Sequence, residues 1–181
     1  GMETLQFRSV GPSVGKEVTQ AAVVAVLFAS LAILGFIIWA FRNVPHSVRF
    51  GVCAIAAMVH DILVTCGFYA IMGVIANWEV DALFLTAVLT VIGFSVQDTI
   101  VVFDRIRENS HRHRAEDFET IANRSLLETI HRSLGTQLNA LFVMIALLLF
   151  GGQTIRPFIA VLVVGLVSGT YSSIFNAVPL L

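Results

Sequence analysis

Val91-Ile92-Gly93-Phe94-Ser95-Val96-Gln97-Asp98-Thr99-Ile100-Val101-Val102-Phe103 is apolar or small apart from Gln97 and one carboxylate, Asp98. It runs directly into Asp104-Arg105-Ile106-Arg107-Glu108-Asn109, where four of six residues are charged. An apolar run that stops at a block of ions is the pattern of a helix leaving hydrocarbon for water. Traced backward the run reaches Ala82, a stretch of 22 residues, and a membrane-crossing helix needs about 20. Outward from it lie four more such runs, at 18–41, 50–75, 134–150 and from 157 to the end. Their stops are also legible: Arg42-Asn43-Val44-Pro45 closes the first and Gly151-Gly152 the fourth, while Trp78 suits the headgroup level. The fold expected is an all-α integral membrane protein with five transmembrane helices.

Composition agrees. Of 181 residues 57% are hydrophobic and 13% charged, against about 25% charged in a soluble domain, and the mean hydropathy is +0.87. Five spans consume most of the chain, which excludes a large soluble active-site module. Eleven Lys and Arg against twelve Asp and Glu give a net charge of -1, so no basic excess awaits a nucleic acid. Cys53 and Cys66 fall in one run; thirteen helical positions put them about 20 Å apart, too far to pair. No nucleotide loop, dinucleotide fingerprint, HExxH or CxxC pattern is present. His111 and His113 stand among arginines and read as a solvated charge run, so neither a metal nor a cofactor is expected, and an enzyme is not.

Between Asp104 and Arg132 the composition turns aqueous. The expected organisation is a lead-in at 1–17, three spans within 18–103, a loop at 104–133 and two spans within 134–181. In the loop Phe118, Ile121, Ala122, Ser125, Leu126 and Thr129 recur at helical spacing. Two readings stand, an amphipathic helix on the membrane surface or a helix packed on its own neighbours. Alternate loops put eight arginines on one side against Arg8, Lys16 and Arg156 on the other. The richer side is expected in the cytoplasm, which makes the lead-in periplasmic. Gly1 ahead of Met2, which resembles a cloning scar, and the apolar end at Leu181 suggest a segment of a longer chain.

Ionisable groups within spans cost about 2.5 to 3.5 kcal/mol each on insertion scales. Asp61, with His60 beside it, stands near the middle of the second span and Asp98 about two thirds along the third. Each reads either as a polar group satisfied by neighbouring helices or as a proton or cation site, because a carboxyl in low dielectric can hold or release a proton near neutral pH. Arg132, at the entry of the fourth span, is the basic residue placed to reach into the bilayer, or else a surface partner of Glu128 four residues earlier. Gly93, and the GxxxG spacing of Gly165 and Gly169, read as sites of close helix packing.

The stretch from Val91 to Asn109 resembles the signature of the SecF family of protein-export membrane proteins. Val10-Gly11-Pro12-Ser13-Val14-Gly15, His60-Asp61, and Asn123-Arg124-Ser125-Leu126 leading through Thr129 to Arg132 fit the same family in order. Gln97 stands where many relatives have asparagine. The resemblance implies an RND-superfamily bundle in which these five helices are the second to sixth of six. It further implies multi-pass residence in the bacterial inner membrane and pairing with SecD, fused or separate, near SecYEG and YajC. It implies contact with preprotein through a periplasmic domain outside this stretch, and use of the proton-motive force in late translocation. Family roles map to Asp98 and Arg132 as proton-relay residues, with Asp61 and His60 added from burial. An RND exporter of lipids or drugs and a purely structural assembly subunit are the rival readings.

Overall fold

The computed structural model describes residues 12–42, 47–113 and 115–181. Five long helices form the fold: α1 (Pro12–Ala40), α2 (Ser47–Ala76), α3 (Ala82–Arg112), α4 (Phe118–Phe150) and α5 (Arg156–Ser172). A short 3-10 turn at Gln153–Ile155 leads into α5, and a π-helical segment at Ser173–Ala177 follows it. The first four, and α5 taken together with these two flanking segments (Gln153–Ala177), are long and apolar enough to cross a membrane. Local chemistry sets the boundaries. Asp81 caps α3 by accepting from the Phe84 N–H at 2.9 Å, Asp117 caps α4 through Thr120, and Pro157 sits in the first turn of α5, where its missing N–H costs nothing.

Within their spans α2, α3 and α5 are 44–50% buried, whereas α1 is 6% and α4 11% buried. The first three therefore make the centre and the other two flank it. α3 contributes to every apolar cluster: Phe103 and Ile106 at the arginine-rich end, Val88, Ile92 and Val96 in the middle, Ala87 and Val91 at the far end. At the arginine-rich end Phe41 stacks on Phe50 at 5.2 Å, and Phe103 meets Phe50 edge-on at 5.2 Å. Cys53 is buried and Cys66 half-buried, both as free thiols.

The aqueous segment differs from the expected loop. α3 continues past Phe103 to Arg112, and α4 begins at Phe118 and runs unbroken to Phe150. No proline interrupts 118–150. Ile121, Ala122, Ser125 and Thr129 are buried on neighbouring helices while Phe118 is exposed, so most of this amphipathic face packs within the protein. Polar pairs tie the two extensions: Asn109 donates to Ser125 Oγ and to Glu128, both at 3.0 Å, and Arg105 bonds Glu128 at 2.5 Å. At the other end, α1 already starts at Pro12, inside the expected lead-in, while residues 1–11 lie outside the described residues.

The cap at Asp117 gives a pH dependence. Its carboxyl is held below the ordinary aspartate range by the Thr120 hydroxyl and backbone N–H. The sign follows: the cap's contribution is complete above the ordinary range and is lost as pH falls through the lowered value. The protection factor of the Thr120 amide, its exchange rate set against the intrinsic rate at the same pH, should be high at neutral pH, fall as Asp117 becomes protonated, and be low at all pH values in Asp117→Ala.

Candidate functional site

Asp61 lies halfway along α2 and is 1% exposed. Its carboxylate accepts from hydroxyls of two other helices. Ser95 of α3 donates to Oδ2 at 2.5 Å; from α5, Ser168 donates to Oδ1 at 2.7 Å and Ser172 to Oδ2 at 2.6 Å. His60 Nδ1 lies 3.1 Å from Oδ1, so the Nδ1–H tautomer supplies a fourth donor. Sequence neighbours on a helix diverge, yet here the carboxyl turns back to the imidazole. Thr65 in turn donates to the Asp61 backbone carbonyl at 2.7 Å. A buried carboxylate without donors would be prohibitive, and four donors make it tenable.

The two glycines of α5 make this approach possible. A Cβ at Gly165 would collide with the Val91 side chain, and one at Gly169 would stand 3.3 Å from the Ser95 Cα. Closeness of α5 to α3 brings Ser168 and Ser172, one turn apart on α5, to the carboxylate on α2. Gly93 is different. It is exposed, with open space where a Cβ would be, so among the described residues it packs no helix and the packing role expected for it is not seen within this chain.

Asp98, 4% exposed, faces α4 and accepts from the Gln137 side-chain amide. It has no ion pair among the described residues. Arg132 is exposed at the surface and lines a cavity of about 510 Å³ with Asp104, Arg107 and Glu128, between α1, α3 and α4. The structure therefore does not join Arg132 to Asp98. Helix register explains why. Asn109 with Ser125, Arg105 with Glu128, and Asp98 with Gln137 share one antiparallel alignment, and Arg132 is five positions before Gln137, about 7.5 Å nearer the arginine-rich end. Nor does Arg132 pair with Glu128, whose carboxylate is taken by Arg105 and Asn109.

Sequence reasoning missed Ser95, Ser168, Ser172 and Gln137 as partners. The available signal was Ser168 and Ser172 at i, i+4 beside Gly165 and Gly169, a hydroxyl face interleaved with a close-packing face.

Fold and site define a multi-pass α-helical membrane protein that keeps two carboxyls inside its helix bundle among neutral partners. A family profile described as "Protein export membrane protein SecD/SecF, C-terminal" matches residues 1–181. The chain belongs to this SecD/SecF family. It is 58% identical over 179 residues to a protein translocase subunit SecF of Thermobaculum terrenum, covering 99% of this chain and 56% of that protein. Against the SecF subunit of Anaerolinea thermophila it is 56% identical over 176 residues, 97% of this chain and 57% of the relative. The SecF subunit of a Synechocystis species is 40% identical over 178 residues, 98% and 55% respectively. A crystal structure of SecDF in a super-membrane-facing form superimposes with a TM-score of 0.81 at 35% identity, covering 94% of this chain and 22% of that one. The chain thus spans about half the length of these SecF subunits and about a fifth of the SecDF chain.

Steric space separates the glycines experimentally. Gly165→Val should lower the thermal midpoint of the purified protein, by a cost of about 1 to 3 kcal/mol for overpacking. Gly93→Ala, which meets open space inside a helix, should not lower the midpoint and should raise it by up to about 0.5 to 1 kcal/mol of helix propensity.

Proposed function

We propose that this chain is the membrane portion of a SecF-type subunit of the Sec protein-export machinery. In this reading it resides in the bacterial inner membrane and couples the proton-motive force to late steps of preprotein translocation. The role is one of coupling and not of enzymatic turnover. The observation that carries the reading is Asp98, a carboxyl buried at membrane depth whose recorded partner is a neutral amide on the neighbouring helix. An acid so placed changes charge when a proton arrives, and its bond to α4 changes with it. The SecF names of relatives up to 58% identical support the export assignment over a lipid or drug exporter.

In the mechanism, a proton entering from outside neutralises Asp98 and alters the α3–α4 contact, and its release to the cytoplasm restores the bond to Gln137. Arg132, one to two turns nearer the proposed cytoplasmic end, lies on the exit side of this path. One charge moved through 100 mV supplies about 2.3 kcal/mol, while reversing a 1:99 equilibrium takes about 5.5, so more than one proton, or a pH gradient in addition, is used per cycle.

The partners proposed are SecD, fused or separate, with SecYEG and YajC near it and preprotein held outside the membrane. The bundle surface supports a covering neighbour. Gln97 of α3 and Asn139 of α4 are exposed and make no side-chain hydrogen bond among the described residues. Facing lipid, such amides would be unsatisfied, at a cost of several kcal/mol each. SecD helices are the covering proposed.

Two experiments test this on the full-length subunit with SecD. Asp98→Asn should abolish proton-driven export in vesicles while SecD still co-purifies; undiminished export removes Asp98 from the path, and loss of SecD together with export favours the structural role. Replacing Gln97 and Asn139 together by Leu should reduce SecD recovery severalfold, and unchanged recovery places the SecD contact elsewhere.

A further inference from the structure

Asp61 and the three serines form a site distinct from Asp98 in partners and direction. The hydroxyls stand 2.5 to 2.7 Å from the carboxylate, the separation of O–H···O⁻ hydrogen bonds, with room between the oxygens for a proton and none for a metal cation. The groups facing it are nearly all neutral: Ser95 of α3, Ser168 and Ser172 of α5, and Thr65 of its own helix. α1 carries no titratable residue from Thr19 to Ala40, and the π segment brings Ser173 and Asn176. Asp98 follows Ser95 by three residues on α3 but turns to Gln137. Among the described residues His60 is the one titratable group in contact. Its side chain is 39% exposed, and its ring lies 6.5 Å from that of Tyr171 on α5, so it reaches from the buried carboxylate to the bundle surface.

One serine has two acceptors. Ser172 Oγ lies 2.6 Å from Asp61 Oδ2 and 3.3 Å from the Gly169 carbonyl, and it is the last residue of α5 before the π segment. π turns inside helices often mark working positions.

We propose that Asp61, Ser95, Ser168 and Ser172 form a second proton-binding site of the bundle, loaded through His60, in which protonation moves the Ser172 hydroxyl from Asp61 to the Gly169 carbonyl. This deepens the coupling reading above and rests on it for its purpose. The proton balance is closed. A proton taken up at His60 Nε2 is matched by passage of the Nδ1 proton to Asp61 Oδ1, leaving a neutral imidazole and a neutral carboxyl. Hydrogen bonds to an ionised acceptor are about twice as strong as neutral ones. Once Asp61 is neutral its hold on Ser172 weakens, the backbone carbonyl becomes the competing acceptor, and the end of α5 is released from α2. The proton thus reports to α5, whereas Asp98 reports to α4.

Infrared difference spectroscopy on the full-length subunit in lipid, with pH lowered stepwise, reads this without export or a gradient, so its outcome is separable from that of the vesicle assay. On acidification the protonated-carboxyl signal should contain one component that is lost in Asp61→Asn and retained in Asp98→Asn, distinct from the component that Asp98 contributes. Ser172→Ala should shift the carboxylate band of the ionised form and leave the protonated band in place, a pattern that a merely structural serine does not give. His60→Gln should slow the rise of the band after a pH jump. A carboxyl signal from which Asp61→Asn removes no component overturns the proposal, as does an Asp61 component that responds to sodium chloride at constant pH, which would make the site a cation site. If Asp61→Asn does not fold, a carboxylate band unmoved by both Ser172→Ala and Ser95→Ala overturns it as well.

Discussion

A carboxylate in the middle of a hydrocarbon-spanning bundle has to be surrounded by donors, and the arrangement of three helices follows from how Asp61 meets that demand. Its four acceptor positions are filled from α2 itself, α3 and α5. Between transmembrane helices apolar burial gives little net attraction, because lipid is as apolar as leucine, so close packing and interhelical hydrogen bonds carry association. Both act at one place here. Gly165 and Gly169 bring α5 onto Val91 and Ser95 of α3, and that approach is what delivers Ser168 and Ser172 to the acid on α2. α1 and α4, with little buried area of their own, attach around this centre.

The two buried acids are held differently, and the difference bears on function. Asp61 is saturated by hydroxyls, groups that can donate or accept and so fit either charge state of the acid. Among the described residues Asp98 has one hydrogen-bond partner, on a peripheral helix. Beyond the apolar region the same α3–α4 pair changes to charged chemistry, with Arg105, Glu128 and Asn109 bound across the helices and Arg107 lying 5.5 Å from the Phe41 ring centre. One antiparallel register runs from the buried carboxyl to this polar extension.

Spans, their number and the two costly acids were legible in the sequence because hydropathy and misplaced charge are local properties. The SecF resemblance was legible because its signature from Val91 to Asn109 is long. The partners of the acids were not. Ser95, Ser168 and Ser172 lie 34, 107 and 111 positions from Asp61, and hydroxyls in a span look like ordinary small-residue packing. Nearness in sequence points to Arg132 as a partner for Asp98, but charge attraction does not set register; the side-chain pairs along α3 and α4 do. Hydropathy ends at Phe103 and so marks the aqueous segment as a loop carrying a short helix, whereas the continuity of α3 and α4 through it depends on the absence of breakers and on the Asn109, Ser125 and Glu128 contacts.

The central claim, that the Asp61 carboxylate holds α3 and α5 through serine hydroxyls, is tested most directly by a double-mutant cycle in thermal or denaturant unfolding with Asp61→Asn and Ser95→Ala. The account predicts strong non-additivity, a coupling within about 0.5 to 3 kcal/mol as found for residues sharing one hydrogen-bond network. Independent effects that sum within about 0.3 to 0.5 kcal/mol, as for distant sites, would contradict it.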